Sequence, residues 1–256
     1  MKSWICAGLA AVLVVSVPIQ PVLAGAKYTA QGFAFEAEQK PQVVVVRPDM
    51  FMGTLDSSNR QIPDPDWLAE AHTNLQESLK RHPAAKTVEW QFADWNDPAS
   101  QPLSEGFWKT FLDLNLDIVF KVPQGSFPMP MDANLGRAVK QLPKGYHEYR
   151  LPPAGLDEVR SVSSGAQYAL LIKMHDAYTT DGAKLTRLLD GMGNVVRTGT
   201  NIQAPPPHFG FSMLIDLGDG KVVWFHNDGA IGGDLRKPAT ADKRVAQLLT
   251  DWPMGR

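Results

Sequence analysis

Gln42-Val43-Val44-Val45-Val46-Arg47-Pro48 decides the fold. Four valines in a row show no polar alternation, so both sides of an extended segment here are apolar. A strand of that kind is covered on both faces and sits centrally in a sheet that carries helices on each side. The branched valine side chains favour extended backbone, and Pro48 closes the run.

Working outward, Thr87 to Ala93 alternates, with Val88, Trp90 and Phe92 facing one way, which predicts a half-buried strand. Gln167 to His175 alternates in the same manner. Phe209 to Leu217 and Lys221 to Asn227 flank Gly218-Asp219-Gly220, the signature of a hairpin. Between the strands lie helical patterns. Leu68, Ala71, Leu75 and Leu79 share a face of a helix opening at Pro65 or Asp66 and running to about Arg81. Ser104 and Glu105 open a second helix that packs Phe107, Trp108, Phe111 and Leu112. The stretch 113–122 fits either helix or strand, with helix preferred because nothing breaks the chain before Pro123. Further helices are expected over Ala133 to Leu142, over Ala154 to Ser164 with Gly165 as its cap, after Asp181, and after Thr240. Gly25 to Lys40 reads as an edge strand or an extended arm, and Asp49 to Pro65 as a loop.

These pieces imply an α/β fold: a mixed sheet of about five strands with helices on its faces, ending in a β-hairpin and a C-terminal helix. Residues 25–256 read as one domain, with 94–150 a helical insertion.

The amino terminus reads as an export signal. Met1-Lys2 is a short basic start, Trp4 to Ile19 is apolar and uncharged, and Val22-Leu23-Ala24 supplies the small residues a signal peptidase requires. Cleavage falls after Ala24 or after Ala26. Pro18 interrupts the apolar run early, which disfavours a membrane-spanning helix. Cys6 is the only cysteine of the chain and stands ahead of most of the apolar run, the wrong place for lipid attachment. Loss of the signal removes it, and with it thiol catalysis and disulfides. The expected protein is periplasmic or secreted, is not a lipoprotein, and has no membrane span after cleavage.

The chain carries 25 basic and 27 acidic side chains. That near-neutral balance gives no support for nucleic-acid binding, which leans on a basic face. Serine-nucleophile and phosphate-loop signatures are absent: Gly210-Phe211-Ser212-Met213-Leu214 lacks the second glycine of a nucleophile elbow, and Gly229-Ala230-Ile231-Gly232-Gly233 lacks the Lys-Ser/Thr pair of a P-loop. No cofactor is implied. His175-Asp176 and His226-Asn227-Asp228 fall at predicted strand ends, so these histidines with Asp176, Asp228 and Asp234 could converge as a divalent-metal or hydrolase site. The simpler reading is solvated strand ends, with Asp234 and Arg236 paired structurally. Trp90, Trp95, Phe107 and Trp108 form an aromatic set suited to a core or to a contact surface. Together with Trp224 and Arg236 on the hairpin end, they are the candidate interaction surface.

The valine strand, Ser164-Gly165-Ala166-Gln167-Tyr168-Ala169-Leu170 and Asp216-Leu217-Gly218-Asp219-Gly220-Lys221-Val222-Val223-Trp224 together resemble the α/β domain of bacterial envelope proteins related to the curli-secretion lipoprotein and the amino-terminal domain of TolB. Val223 to Phe225 and Gly233 to Arg236 also resemble the ending of a set of exported proteobacterial proteins. The resemblance implies a fold and an envelope compartment more than an activity. Taken with the export signal and the lack of a catalytic constellation, it leads to the expectation of a non-catalytic module that binds an envelope partner or another copy of the chain. No catalytic residue carries over.

Overall fold

The computed structural model describes residues 27–36, 38–56, 58, 60–92, 95, 103–121, 148–179, 208–228 and 232–254. They build an α/β fold on one mixed sheet of eight strands. The strands are β1 (Lys27–Thr29), β2 (Gln42–Val45), β3 (Asp49–Leu55), β4 (Gln61–Pro63), β5 (Glu89–Phe92), β6 (Tyr168–Thr179), β7 (His208–Asp216) and β8 (Val222–Asp228). Four helices accompany them: α1 (Pro65–Arg81), α2 (Glu105–Lys121), α3 (Pro153–Ser161) and α4 (Pro238–Leu248).

The main order is β1-β8-β7-β6-β2-β5, with β3 paired to β6 and β4 paired to β3. The valine run is central, as its composition predicts. Val43, Val44, Val45 and Val46 are each at most 2% exposed, and β2 lies parallel to both β5 and β6. The chain then continues along the same neighbour. β2 pairs with Tyr168 to Leu170 of β6, and β3 with Lys173 to Thr179 of the same strand. Val46, Arg47 and Pro48 thus stand against Leu171 and Ile172 alone. That extra residue bends the strand and turns its side chains over, as a bulge does.

Pairing partners share a face of the sheet, and successive residues alternate. Ile172, Met174, Asp176 and Tyr178 of β6 therefore face one way, and Lys173, His175 and Ala177 the other. α1 and α4 cover the first face: Trp67 meets Tyr178, and Trp252, just beyond α4, meets Trp224. α2 covers the second, where the Trp108 ring lies 5.8 Å from Lys173 Nζ. Leu75 and Leu79 of α1, Phe111 and Ile118 of α2, and Val245 of α4 are fully buried between the layers.

Local chemistry sets the ends of the elements. Asp64 caps α1, its carboxylate accepting from the backbone N–H groups of Asp66 and Trp67, with Pro65 in the first turn and Lys80 and Arg81 in the last. The β7–β8 turn has the expected hairpin form. The Asp216 carboxylate accepts from Gly218 N at 2.7 Å, that of Asp219 from Lys221 N at 3.0 Å, and Gly220 takes φ +77.

Several expectations are corrected. The sheet has eight strands, not about five. Asp49 to Pro65 is no loop but holds β3 and β4, in strand form because β6 is long enough to pair both halves of the bent strand. The stretch 113–121 is helix, as preferred. α3 ends at Ser161 and its cap is Val162, with Gly165 lying beyond in a turn. Thr240 lies inside α4, whose cap is Lys237 ahead of Pro238. The signal segment, the helices expected at 133–142 and after Asp181, and most of the 94–150 insertion fall outside the described residues.

Candidate functional site

Asp176 lies near the C-terminal end of β6 and is fully buried. Its Oδ1 accepts from Arg244 of α4, also fully buried, and lies 3.1 Å from His208 Nδ1 across the ladder on β7. Its Oδ2 has no donor among the described residues. A carboxylate that orients an imidazole is the setting of a general base. Here, however, the guanidinium shares and neutralises the carboxylate. His208 has no hydrogen-bond partner besides Asp176 among the described residues. The arrangement fastens α4 to β6 and β7.

Two residues further along β6 is a second closed set. The Tyr178 hydroxyl donates to Asp234 at 3.0 Å. Arg236 grips Asp234 with Nε and Nη2 at 2.9 and 2.8 Å. Its guanidinium carbon also lies 3.6 Å from the Tyr178 ring centre and 4.1 Å from that of Trp67. Burial works against ionisation of Asp234, but the Arg236 hydrogen bonds outweigh it and hold the carboxyl below its usual range. Burial, with Asp176 and Asp234 nearby, pushes the Tyr178 phenol up. Arg236 is thus a cation clamped between two rings and a carboxylate, joining α1, β6 and the segment before α4.

An open concavity lies elsewhere. A cleft of about 640 Å³ sits where the chain bends from β2 into β3. Arg47, Pro48, Asp49 and Met50 line it along the bend, and Leu68 and His72 from α1. Leu103, Glu105, Trp108, Lys109 and Leu112 line the α2 side, and Lys173 comes from β6. Asp49 is ion-paired with Lys173. Half-buried Arg47 and exposed Lys109 form no ion pair or hydrogen bond among the described residues. His72 is held neutral: burial, then the Arg47 charge, push its pKa down to about 4.

No protein-family model matches the chain. No curated protein matches it either. Among solved structures, the chain is similar to PelC from Paraburkholderia phytofirmans, crystallised as a dodecamer. The sequences are 14% identical, and the TM-score is 0.39 over 91% of this chain and 99% of that one. A single-substitution variant of the same protein gives 12% identity and a TM-score of 0.35, with the same coverage. Nothing about activity follows from likenesses at this level.

His175 and His226, expected as possible co-ligands, stand on opposite faces of the sheet. His175 is stacked between Phe51 at 4.5 Å and Phe209 at 5.2 Å, and burial lowers its pKa. His226 pairs with Ser212, which pairs with Ile172, so it is two strands across and three residues along from His175. At ordinary sheet spacings that is roughly 14 Å between backbones, too far for one zinc ion. Asp176 and Asp234 are held by Arg244 and Arg236, and the Asp228 side chain lies outside the described residues. No group of three His, Cys, Asp or Glu among the described residues is placed to hold a metal.

Of the aromatic surface candidates, Trp95, Phe107 and Trp224 are at most 4% exposed and belong to the core. Trp90 is partly buried against Trp252, and Arg236 is taken up by its clamp. Trp108 alone of the set lines the cleft. In the sequence Arg47 and Lys173 each read as the polar end or edge of a strand, which marks no site. The signal that does mark Arg47 is its place: a cation directly after a fully buried strand and directly before a proline stands at a bend.

Proposed function

We propose that this chain is an exported, non-catalytic binding or envelope-assembly module, related in fold to the curli-secretion and TolB-type domains, that acts by holding an envelope protein or a second copy of itself. One observation carries the reading. Asp176 and Asp234 are held in internal ion pairs, whereas the cleft between α1 and α2 is lined by Arg47, which has no ion pair or hydrogen bond among the described residues. Groups tied into clasps stabilise a scaffold; an open cleft with unused donors receives something. No described helix is long and apolar enough to cross a membrane. The metal-hydrolase alternative has no comparable support, because its two histidines face apart.

The test is in vivo cross-linking of the tagged chain in envelope fractions, with the mass of the purified protein measured by light scattering. A reproducible partner band or a defined oligomer is expected. A strict monomer that captures nothing sinks the proposal.

A further inference from the structure

We propose that the cleft between α1 and α2 binds a small ligand through an oxyanion, a carboxylate or a phosphate, received by the Arg47 guanidinium with Lys109 at the rim. This inference rests on the binding reading above and gives that site a ligand class.

The argument begins with unused donors. An arginine carries five N–H donors in a planar fork that matches carboxylate and phosphate oxygens. Arg47 uses none of them among the described residues, although it is half-buried on a bend whose neighbours Val46 and Pro48 are buried. A partly desolvated guanidinium gains most from an anion that brings two oxygens to the fork.

The nearby acids do not meet that demand. Asp49 is the next acidic residue along the bend, and its carboxylate is engaged by Lys173. Glu105 is exposed at the start of α2 and pairs with no cation among the described residues. Three cations, Arg47, Lys109 and Lys173, thus line the cleft against two carboxylates. The charge reaches inward: it is one of the causes, after burial, that keep His72 unprotonated, so His72 adds nothing to it at neutral pH.

The remaining lining suggests what bears the oxyanion. Leu68, Leu103, Leu112 and the Trp108 ring offer apolar surface beside the cations. The volume, about 640 Å³, lies within the range of clefts that take small molecules. A compact carbon skeleton with one or two oxyanions fits both the apolar wall and the fork. Carboxylate and phosphate present the same bidentate edge, so the experiment separates them.

The experiment titrates the full chain, labelled with ¹⁵N, with inorganic phosphate in one arm and succinate in the other. The Trp108 indole N–H resonance and calorimetry report binding. Saturable binding in at least one arm is expected, and the arm that binds identifies the oxyanion. Affinity should fall about tenfold or more in Arg47→Gln, the loss of one charge-assisted contact. It should fall by a smaller factor in Lys109→Gln, and weaken as sodium chloride is raised. Lys109 is exposed, so its variant keeps the fold and reports even if Arg47→Gln does not fold. Absence of saturable binding in both arms up to ~10 mM, a ligand free energy of only about −3 kcal/mol, overturns the proposal. Wild-type affinity in both variants overturns it as well. Either result, with a cross-linked partner still present, removes the oxyanion site and leaves the binding module standing. If no partner, no oligomer and no anion is found, both fall.

Discussion

Removing Asp176 takes from the buried Arg244 charge the carboxylate it is paired with. Both side chains are at most 1% exposed, and they meet through a single carboxylate oxygen. Breaking one member of such a buried pair costs about 3–5 kcal/mol, whereas replacing both by apolar groups of similar volume is often neutral. Asp176→Ala should therefore lower unfolding free energy by that amount in urea titrations, and Asp176→Leu with Arg244→Met should recover most of it. A single variant within ~1 kcal/mol of wild type would contradict the clasp. His72 gives a pH signature. Its pKa falls from 6.5 to about 4 on folding, so between those values the unfolded chain holds a proton that the folded chain does not. Stability then rises with pH across this window and is lost as the pH is lowered through it, by roughly 2–3 kcal/mol for this group. His82 and His175 shift in the same direction. Urea midpoints measured from pH 7 to pH 4 should fall more gently in His72→Leu; an unchanged slope would show that His72 contributes nothing.

Strand β3 depends on an absent side chain. A Cβ on Gly53 would lie 2.1 Å from the Ile62 carbonyl oxygen, a backbone atom that cannot swing aside, in the β3–β4 ladder. Gly53→Ala should cost about 2 kcal/mol or more through that clash, seen in denaturant unfolding and as faster amide exchange across 49–63. The helices offer a contrast. Leu75→Ala empties a fully buried site on α1 and should cost about 2–5 kcal/mol, whereas Leu116→Ala, 41% exposed on α2, should stay within about 0.5 kcal/mol. These elements differ in how readable they are. α1 announces itself by a capping aspartate, a proline and four apolar residues at helical spacing. β6, β7 and β8 announce themselves by alternation and an Asp-Gly turn. β3 does not: Phe51 and Thr54 favour strand, but Asp49 and Gly53 disfavour it and the pattern shows no turn signal, so its strand form shows only in the pairing with the long β6. The polar clasps escape a linear reading for a related reason. Asp176, His208 and Arg244 meet through sheet register and helix placement, which join residues up to 68 positions apart. The cleft is legible only as a local oddity, the cation wedged between valine and proline.

At the scale of the whole molecule, cohesion comes from a core shared by the sheet and its helices, with no covalent staple available. A lone cysteine cannot form an internal disulfide, so the melting temperature should be the same with and without reductant to within ~1 °C. A reductant-dependent shift would mean that Cys6 is retained and cross-links two chains. On the proposal that the chain is exported, sequencing the amino terminus of the mature protein should give Gly25 or Lys27, and an intact Met1 would refute cleavage. Early and late parts of the described chain are also tied together. β1 pairs with β8, Phe35 N donates to the Pro253 carbonyl, and Lys27 reaches Asp251, 224 residues away in sequence. Contacts of that separation close late and slowly, because the intervening chain must first give up its freedom. A nascent chain cannot complete this sheet while its last hairpin is still inside the ribosome. β1 must wait for β8, which is made much later, so the topology itself delays completion of the sheet.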